Sequence, residues 1–489
     1  MSLPASAISR VTGVNVEYRN FNKGAAGFLP QRLAVIGVGN DDAVYDTKKH
    51  MATGSANAIA ERYGFGSPLH LAARQLFPIS GGGANFPVTF YPLKRVQGSL
   101  AARGAISCEG TPTATGSGVI SIGGIDVEFA IIEGQEPEAI LEAMAERIAS
   151  RLEMPVTPGH ASGNDELPLT AKWSGGSGND ITIEIEANAP GITFEITNMA
   201  GGAVDPEVDP AFALIGPVWE TFILSCFSYN SNSRLNAFQE FGEGRWDQME
   251  KKGCLVAHGC TDDFETRTAV THLRKHDYIN FLITGVGSPE IPFVIAARAL
   301  VNILNTANSN PPHNNYGLLT GLKAGPDEAQ EAYTVRNNSV SRGSSTSIKS
   351  GSLIELNDTV TMWHPDDEGF IKSRRQVVNI IKLMNIVFNV RMIMESSAVK
   401  GAPLVPDIQP TRNPRAIQPK TIRTAMMNLA DSLASHAILA TSDFTKENLV
   451  VTISSMNPDR LDLKFPCKLS GNVEVSSNEI FFGFYLGAA

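Results

Sequence analysis

Three sets of residues in this chain have types and spacings that could do chemistry. The first is "CLVAHGC" followed by "THLRKH", which offers Cys254, His258, Cys260, His272 and His276 as metal ligands. His272 and His276 stand four apart, a spacing that turns two imidazoles to one helix face and suits zinc. Three features oppose it. Cys254 and Cys260 lack the close spacing of a zinc-finger pair, Cys254 reads as a core strand residue, and Arg274 and Lys275 place positive charge between the histidines. The second set is "AVIGVGNDD", an apolar strand running into Gly37-x-Gly39, half of a dinucleotide-binding fingerprint. The third glycine position is Asp42, beside Asp41, and two carboxylates there would repel a pyrophosphate at a helix N-terminus. A plain turn after a buried strand is the favoured reading. The third is the serine nucleophile, for which no G-x-S-x-G elbow is present. No catalytic, cofactor-binding or metal residues are therefore assigned, no cofactor is expected, and the reading is structural rather than enzymatic. A nucleotide-binding or hydrolytic enzyme on an α/β core stays as the distant alternative.

The composition agrees. The formal net charge of −10 signals no basic nucleic-acid-binding surface. The five cysteines, Cys108, Cys226, Cys254, Cys260 and Cys467, are odd in number and scattered, which is no disulfide framework and points to a reducing compartment at synthesis. The N-terminus, "MSLPASAISR", lacks a signal-peptide pattern. Val377–Met394 is the most apolar long stretch, but Asn379, Lys382, Asn385, Asn389 and Arg391 interrupt it, so it reads as a buried helix and no membrane insertion is expected.

The elements suggest a mixed α/β and α+β multidomain chain. "VNVEY" alternates Val14, Val16 and Tyr18 with Asn15 and Glu17 on an N-terminal arm, 1–27, that offers no hairpin mate. A small α/β unit, 28–104, carries the strand of "RLAVIGVG", a helix "PLHLAARQL" and a strand "FPVTFY". Residues 105–204 read as an inserted β-domain with one helix. A hairpin turns about Gly123-Gly124, Leu141, Met144, Ile148 and Leu152 share a helix face, and Ile181/Ile183/Ile185 and Ile192/Phe194/Ile196 alternate as strands. In the central α/β region, 205–399, strands fall at "FILSCF", "GCLVAHG", "INFLITG" and "SLIELNDTVTMW", and a long helix at 373–396. The five prolines of 400–419 suit an extended connector. The last region, 420–489, opens with a helix striped by Ile422, Met426, Leu429 and Leu433. It ends in a meander of "NLVVTI", Leu461/Leu463/Phe465, "NVEV" and "EIFFGFYL".

That last strand has apolar residues on both faces: Ile480, Phe481, Phe482, Phe484, Tyr485 and Leu486. An unpaired edge of this kind aggregates unless a partner covers it, and burying each large side chain contributes about 1.5–3 kcal/mol. Adding such a strand to a neighbour's sheet, head to tail, builds rings or filaments.

With these features the chain resembles the tail sheath proteins of contractile bacteriophages, particularly the phage Mu-like branch. "GVNVEYRNFNKGAA" is similar to that family's N-terminal arm and "PQRLAVIGVG" to the strand after it. The insert, through "AILEAMAERI", "LPLTAKWSGGSGNDITI" and "GITFEITNMAGGAVDP", follows the order of a domain in Mu-like sheaths. "RWDQM", "IPFVIAARAL", "TIRTAMMNLAD" and "NPDRLDLKFPCKLSGNVEV" continue the likeness. Residues 305–350 depart from it, with "NNSVSRGSSTSIKSG" in place of the family's runs. The resemblance implies a subtilisin-like fold for part of the central region, without protease activity. It implies hexameric rings stacked in a helical lattice around a tail tube, terminal strands shared between subunits, and an outward-facing insert. Lys420 and Arg423 would be candidate tube contacts, and baseplate and tail terminator proteins further partners. The chain would work in the virion tail after assembly in the host bacterial cytoplasm. A bacteriocin-type or other contractile injection machine is the alternative source.

Overall fold

In the computed structural model, which describes residues 27–159, 166–314, 317–364, 372–474, 476–477 and 479–480, "LAVIGV" forms strand β1 (Leu33–Val38), buried along its whole length. Apolar residues on both faces suit an interior strand of a covered sheet. β2 (Met51–Ala52), helices α1 (Ala56–Tyr63) and α2 (Pro68–Leu76), and β3 (Val88–Leu93) follow. Helix α2 starts with Pro68 in its first turn, and the Ser67 side chain accepts the His70 amide. β3 pairs with β1 in parallel, from Leu33↔Val88 to Val38↔Leu93.

The insert comprises β4 (Ala101–Gly110), β5 (Gly116–Ile122), β6 (Ile125–Ile131), α3 (Pro137–Ser150), β7 (Val156–Pro158), β8 (Glu166–Ser174), β9 (Ile183–Ala187) and β10 (Ile192–Ala200). It forms two antiparallel sheets, ordered β10-β4-β8-β7 and β6-β5-β9. The expected hairpin is β5–β6. Gly123 and Gly124 both have positive φ, 56° and 81°, as a tight two-residue turn demands. Helix α3 buries Ile140, Leu141, Met144 and Ile148, whereas Leu152 lies past its end and is exposed, because the backbone turns extended at Arg151.

α4 (Asp209–Ile215) leads back to β11 (Phe222–Ser225), then α5 (Asn232–Trp246), β12 (Leu255–Cys260), α6 (Phe264–Thr271), β13 (Asn280–Thr284) and α7 (Pro292–Ser309). β11 pairs in parallel with the free side of β1, Leu33↔Phe222 to Ile36↔Ser225. One six-stranded sheet results, ordered β13-β12-β11-β1-β3-β2. Segments 28–104 and 205–399 therefore contribute strands to the same sheet, on either side of the insert. The reason is β1 itself: it needs a neighbour at each edge, and 28–104 supplies one.

β14 (Gly317–Lys323), α8 (Tyr333–Ser341), β15 (Thr346–Ser350) and β16 (Leu353–Asp358) add a sheet ordered β14-β16-β15. The fully buried Arg267 of α6 binds both oxygens of the Glu331 carboxylate at 2.6 Å and the hydroxyls of Ser339 and Ser344. Helix α9 (Val377–Met394) follows, then α10 (Pro419–Ser435), α11 (Asp443–Asn448), β17 (Val450–Ile453) and β18 (Leu461–Lys464). The chain divides into two compact units within α9. One is Phe28–Asn385 with the chain from Asn472, and the other is the chain to Gly27 with Ile386–Gly471.

Inside the larger unit the insert is pinned at several points. Asp41 accepts from the Ser174 hydroxyl at 2.5 Å and its amide at 3.2 Å, and pairs with Arg95. Thr182 donates to the Pro289 carbonyl, and Lys323 pairs with Asp126. Asp205 receives the Gly176 amide at 2.9 Å and Arg234 at 3.0 Å. Glu290 lies against Gly124, where a side chain would collide with its carboxyl group, and accepts the Lys323 amide at 3.0 Å. Burial pushes the Glu290 carboxyl up to about 7; nearby Asp126 adds to this, and the Lys323 amide and charge and Arg74 oppose it. Burial, with Asp262 and Asp205 nearby, likewise raises Asp180 to about 7.

A raised carboxyl pKa means the folded state holds an extra proton between the ordinary carboxylate range and about pH 7, so this contribution to stability is lost as pH rises through 7. Glu290→Gln, which stays neutral and keeps an acceptor for the Lys323 amide, should melt above wild type at pH 8 and level with it at pH 5. The pH 8 gain is at most on the order of 3 kcal/mol. Thermal melts at the two pH values check this.

Candidate assembly interface

Of the residues first considered for chemistry, Cys254, His258 and Cys260 are buried, whereas His272 and His276 are exposed in turns past the end of α6 and so share no helix face. β1 runs into a turn, not directly into a helix as the dinucleotide-binding fingerprint requires. Gly39 makes room for the Tyr45 ring, and Asp41 is the strut to the insert. His258 is buried on β12, bonded through Nε2 to Asn280 at 3.0 Å and packed edge-on to Phe238, and burial lowers its pKa to about 4. His272 stacks on His364. Cys254 and Cys260 are buried free thiols pushed up to about 12 by burial. Among the described residues no cluster of three or more His, Cys, Asp or Glu side chains is placed to hold a metal.

The C-terminal unit has a different character. Helix α10 begins at Pro419, and its first-turn amide at Lys420 is accepted by the Asp407 carboxylate at 2.9 Å. Its stripe, Ile422, Met426, Leu429 and Leu433, is buried as the spacing predicts, and β17 packs on the helix through Val451. After Ser435 the chain reverses at Ala437, φ 54°, and Ile438 donates to the Leu433 carbonyl. β17 and β18 pair antiparallel, Val450↔Lys464 to Ile453↔Leu461, and form a sheet of two strands. Among the described residues the outer edge of each strand has no ladder partner. Two strands alone are marginal, and open edges are templates for further strands.

The proline-rich segment is not an extended connector. Leu404 bridges Ile417, Val405 donates to the Ile417 carbonyl at 2.9 Å, and Ile417 donates to Pro403 at 2.8 Å, so 403–417 is a closed loop. Lys420 and Arg423 are exposed on the first turns of α10 and in no ion pair among the described residues. Arg412 and Arg415 on the loop are exposed as well. Sequence reasoning missed them, although "TRNPR" between prolines was a signal.

The strand expected at "NVEV" does not form at 472–474. Asn472 is instead held by Lys382 of α9, whose Nζ donates to its Oδ1 at 2.7 Å, and it donates to the Pro312 carbonyl at 2.8 Å. Ile480 is 81% exposed. The other arm residues, Val14, Val16, Tyr18, Phe481, Phe482, Phe484, Tyr485 and Leu486, lie outside the described residues. The root of the N-terminal arm is described, and side-chain amides hold it. Asn389 accepts the Gly27 amide at 2.9 Å and donates to its carbonyl at 2.8 Å. In the larger unit Asn385 accepts the Leu29 amide at 2.8 Å.

No protein-family model matches the chain. It is 22% identical over 439 residues to the Mu-like prophage FluMu tail sheath protein of Haemophilus influenzae, a match spanning 84% of this chain and 87% of that protein. In fold it is similar to the sheath tail protein of Listeria innocua, with a TM-score of 0.50 at 10% identity over 92% of this chain and 96% of the other. A looser likeness, TM-score 0.46 at 10% identity over 98% of this chain and 100% of the other, is to the helical sheath of the anti-feeding prophage in its contracted state.

Leu429→Ala should destabilise the C-terminal unit by about 2–5 kcal/mol, because the fully buried side chain leaves a cavity between α10 and β17. Limited proteolysis should find the new cleavages within 386–471. In its residues the chain resembles a Mu-like prophage tail sheath protein, and in its fold a sheath tail protein.

Proposed function

We propose that the chain is the polymerising subunit of a contractile tail sheath. The observation that carries this reading is the two-stranded sheet β17–β18, open at both outer edges among the described residues, in a chain with an alternating segment near its start and an apolar segment near its end. The N-terminal segment around Val14, Val16 and Tyr18 and the C-terminal segment from Ile480 to Leu486 would add strands to the β17–β18 sheets of neighbouring subunits. Such a contact is heterologous and propagates, which suits stacked hexameric rings around a tube. The insert at 105–204 and the arm at 1–27 stand, with the limits read from the sequence, as part of the proposal, and the central region is subtilisin-like in fold only.

The exposed Lys420 and Arg423, together with Arg412 and Arg415, are the residues of the C-terminal unit suited to an acidic tube. The insert suits the outside. Residues 105–204 carry 15 Asp and Glu against 3 Lys and Arg, more than the whole chain's net charge of −10, and a surface so charged favours water. Baseplate and tail terminator proteins would bound the polymer, and the virion tail would be its place of work after assembly in the host cytoplasm. Energy is stored when subunits assemble into the extended lattice and released when it contracts, a two-state change that needs no nucleotide. The strand links persist while softer contacts rearrange.

Negative-stain electron microscopy of the concentrated full chain tests the reading. Hollow tubes or stacked rings are expected, and a chain lacking Phe481–Ala489 should remain a folded monomer under the same conditions. Long tubes from the shortened chain would sink the strand-exchange mechanism.

A further inference from the structure

We propose that helix α9 ties the chain's two ends together: Asn385 grips the root of the N-terminal arm and Lys382 the root of the C-terminal arm, so a pull on one is passed to the other through a single helical turn. This rests on reading both ends as inter-subunit strands.

Positions 382 and 385 are neighbours on one helix face. The Asn385 Oδ1 accepts the Leu29 amide at 2.8 Å, and Asn308 of α7 accepts the Gln31 amide at 2.8 Å. Alternate amides of an extended segment are thus met by asparagine side chains in place of a neighbouring strand. The Gln31 side chain closes the arrangement by donating to the Leu29 carbonyl at 3.0 Å. On the other arm, Lys382 donates to Asn472, Asn472 donates to Pro312, and the Glu474 carboxylate attracts both Lys382 and Arg375. The clamp at Leu29 lies four residues before β1, so it takes up a pull on the arm before the central sheet does.

The choice of residues is hard to explain by folding alone. Lys382 and Asn385 are both 0% exposed, on a helix whose neighbouring positions Val378, Ile381 and Met384 are apolar and buried. A buried ammonium is costly, and an apolar side chain of similar length would pack at least as well. Burial pulls the Lys382 pKa down to about 8, with Glu474 opposing. A group kept at such cost and spent on the Asn472 side chain has a holding role.

The test uses the full chain with Lys382→Met and Asn385→Ala, read by hydrogen exchange and by tube integrity. Lys382→Met should melt at or above wild type, yet exchange at 472–474 should quicken about tenfold; Asn385→Ala should do the same at 28–31, with β1 unchanged in both. Tubes of either variant should fragment under shear that wild-type tubes withstand. Unchanged exchange at both roots, or tubes as strong as wild type, would overturn the tie. If wild type forms no tubes, the assembly reading fails, while exchange in the monomer still decides whether α9 holds the two roots.

Discussion

The pairing of β1 with two parallel neighbours from opposite sides of the insert is the constraint on which the larger unit depends. Leu33–Ile36 meet Phe222–Ser225 on one side, and Leu33–Val38 meet Val88–Leu93 on the other. The chain between β3 and β11 must therefore leave the sheet and return to it, and the insert is what it builds on the way. Its attachments follow: Asp41, at the end of β1, reaches Ser174, while Glu290 and Pro289, just before α7, receive Gly124 and Thr182. Bonds at several separated points tie the insert into the larger unit.

The same economy appears in helix α9. By length and composition it could cross a bilayer. Its buried Lys382 and Asn385 are instead spent inside the larger unit, on the segments that lead out to the two chain ends. A polar group buried at this cost stays only where a partner meets it. Here the partners include the Leu29 amide and the Asn472 side chain at the roots of the arms, and the Ile381 carbonyl of the helix itself.

Much of this was legible in the sequence, for identifiable reasons. Unbroken apolar runs placed β1, β11, β12 and β13, since an interior parallel strand has few other ways to be written. Glycine pairs with apolar alternation on either side placed β5 and β6. The stripe of α10 was readable from spacing alone. What escaped depended on distant partners. That 28–104 and 205–399 build one sheet is a matter of pairing across the insert, which local periodicity cannot encode. "NVEV" has strand composition, yet Lys382 captures Asn472, more than eighty residues away in sequence. The prolines of 400–419 excluded regular structure but did not reveal that 403 and 405 meet 417. Lys420 and Arg423 were singled out by type and are exposed; Arg412 and Arg415, also exposed, were passed over because their segment read as a connector.

In the proposed sheath, strands from other subunits complete β17–β18. A cryo-electron microscopy reconstruction of the assembled protein, at a resolution that traces side chains, addresses this directly. Extra strands are expected on the edges of β17–β18, with density that fits Val14–Tyr18 and Ile480–Leu486 and connects to neighbouring chains. A sheet that stays two-stranded in the assembly, or is completed by the ends of its own chain, would contradict it.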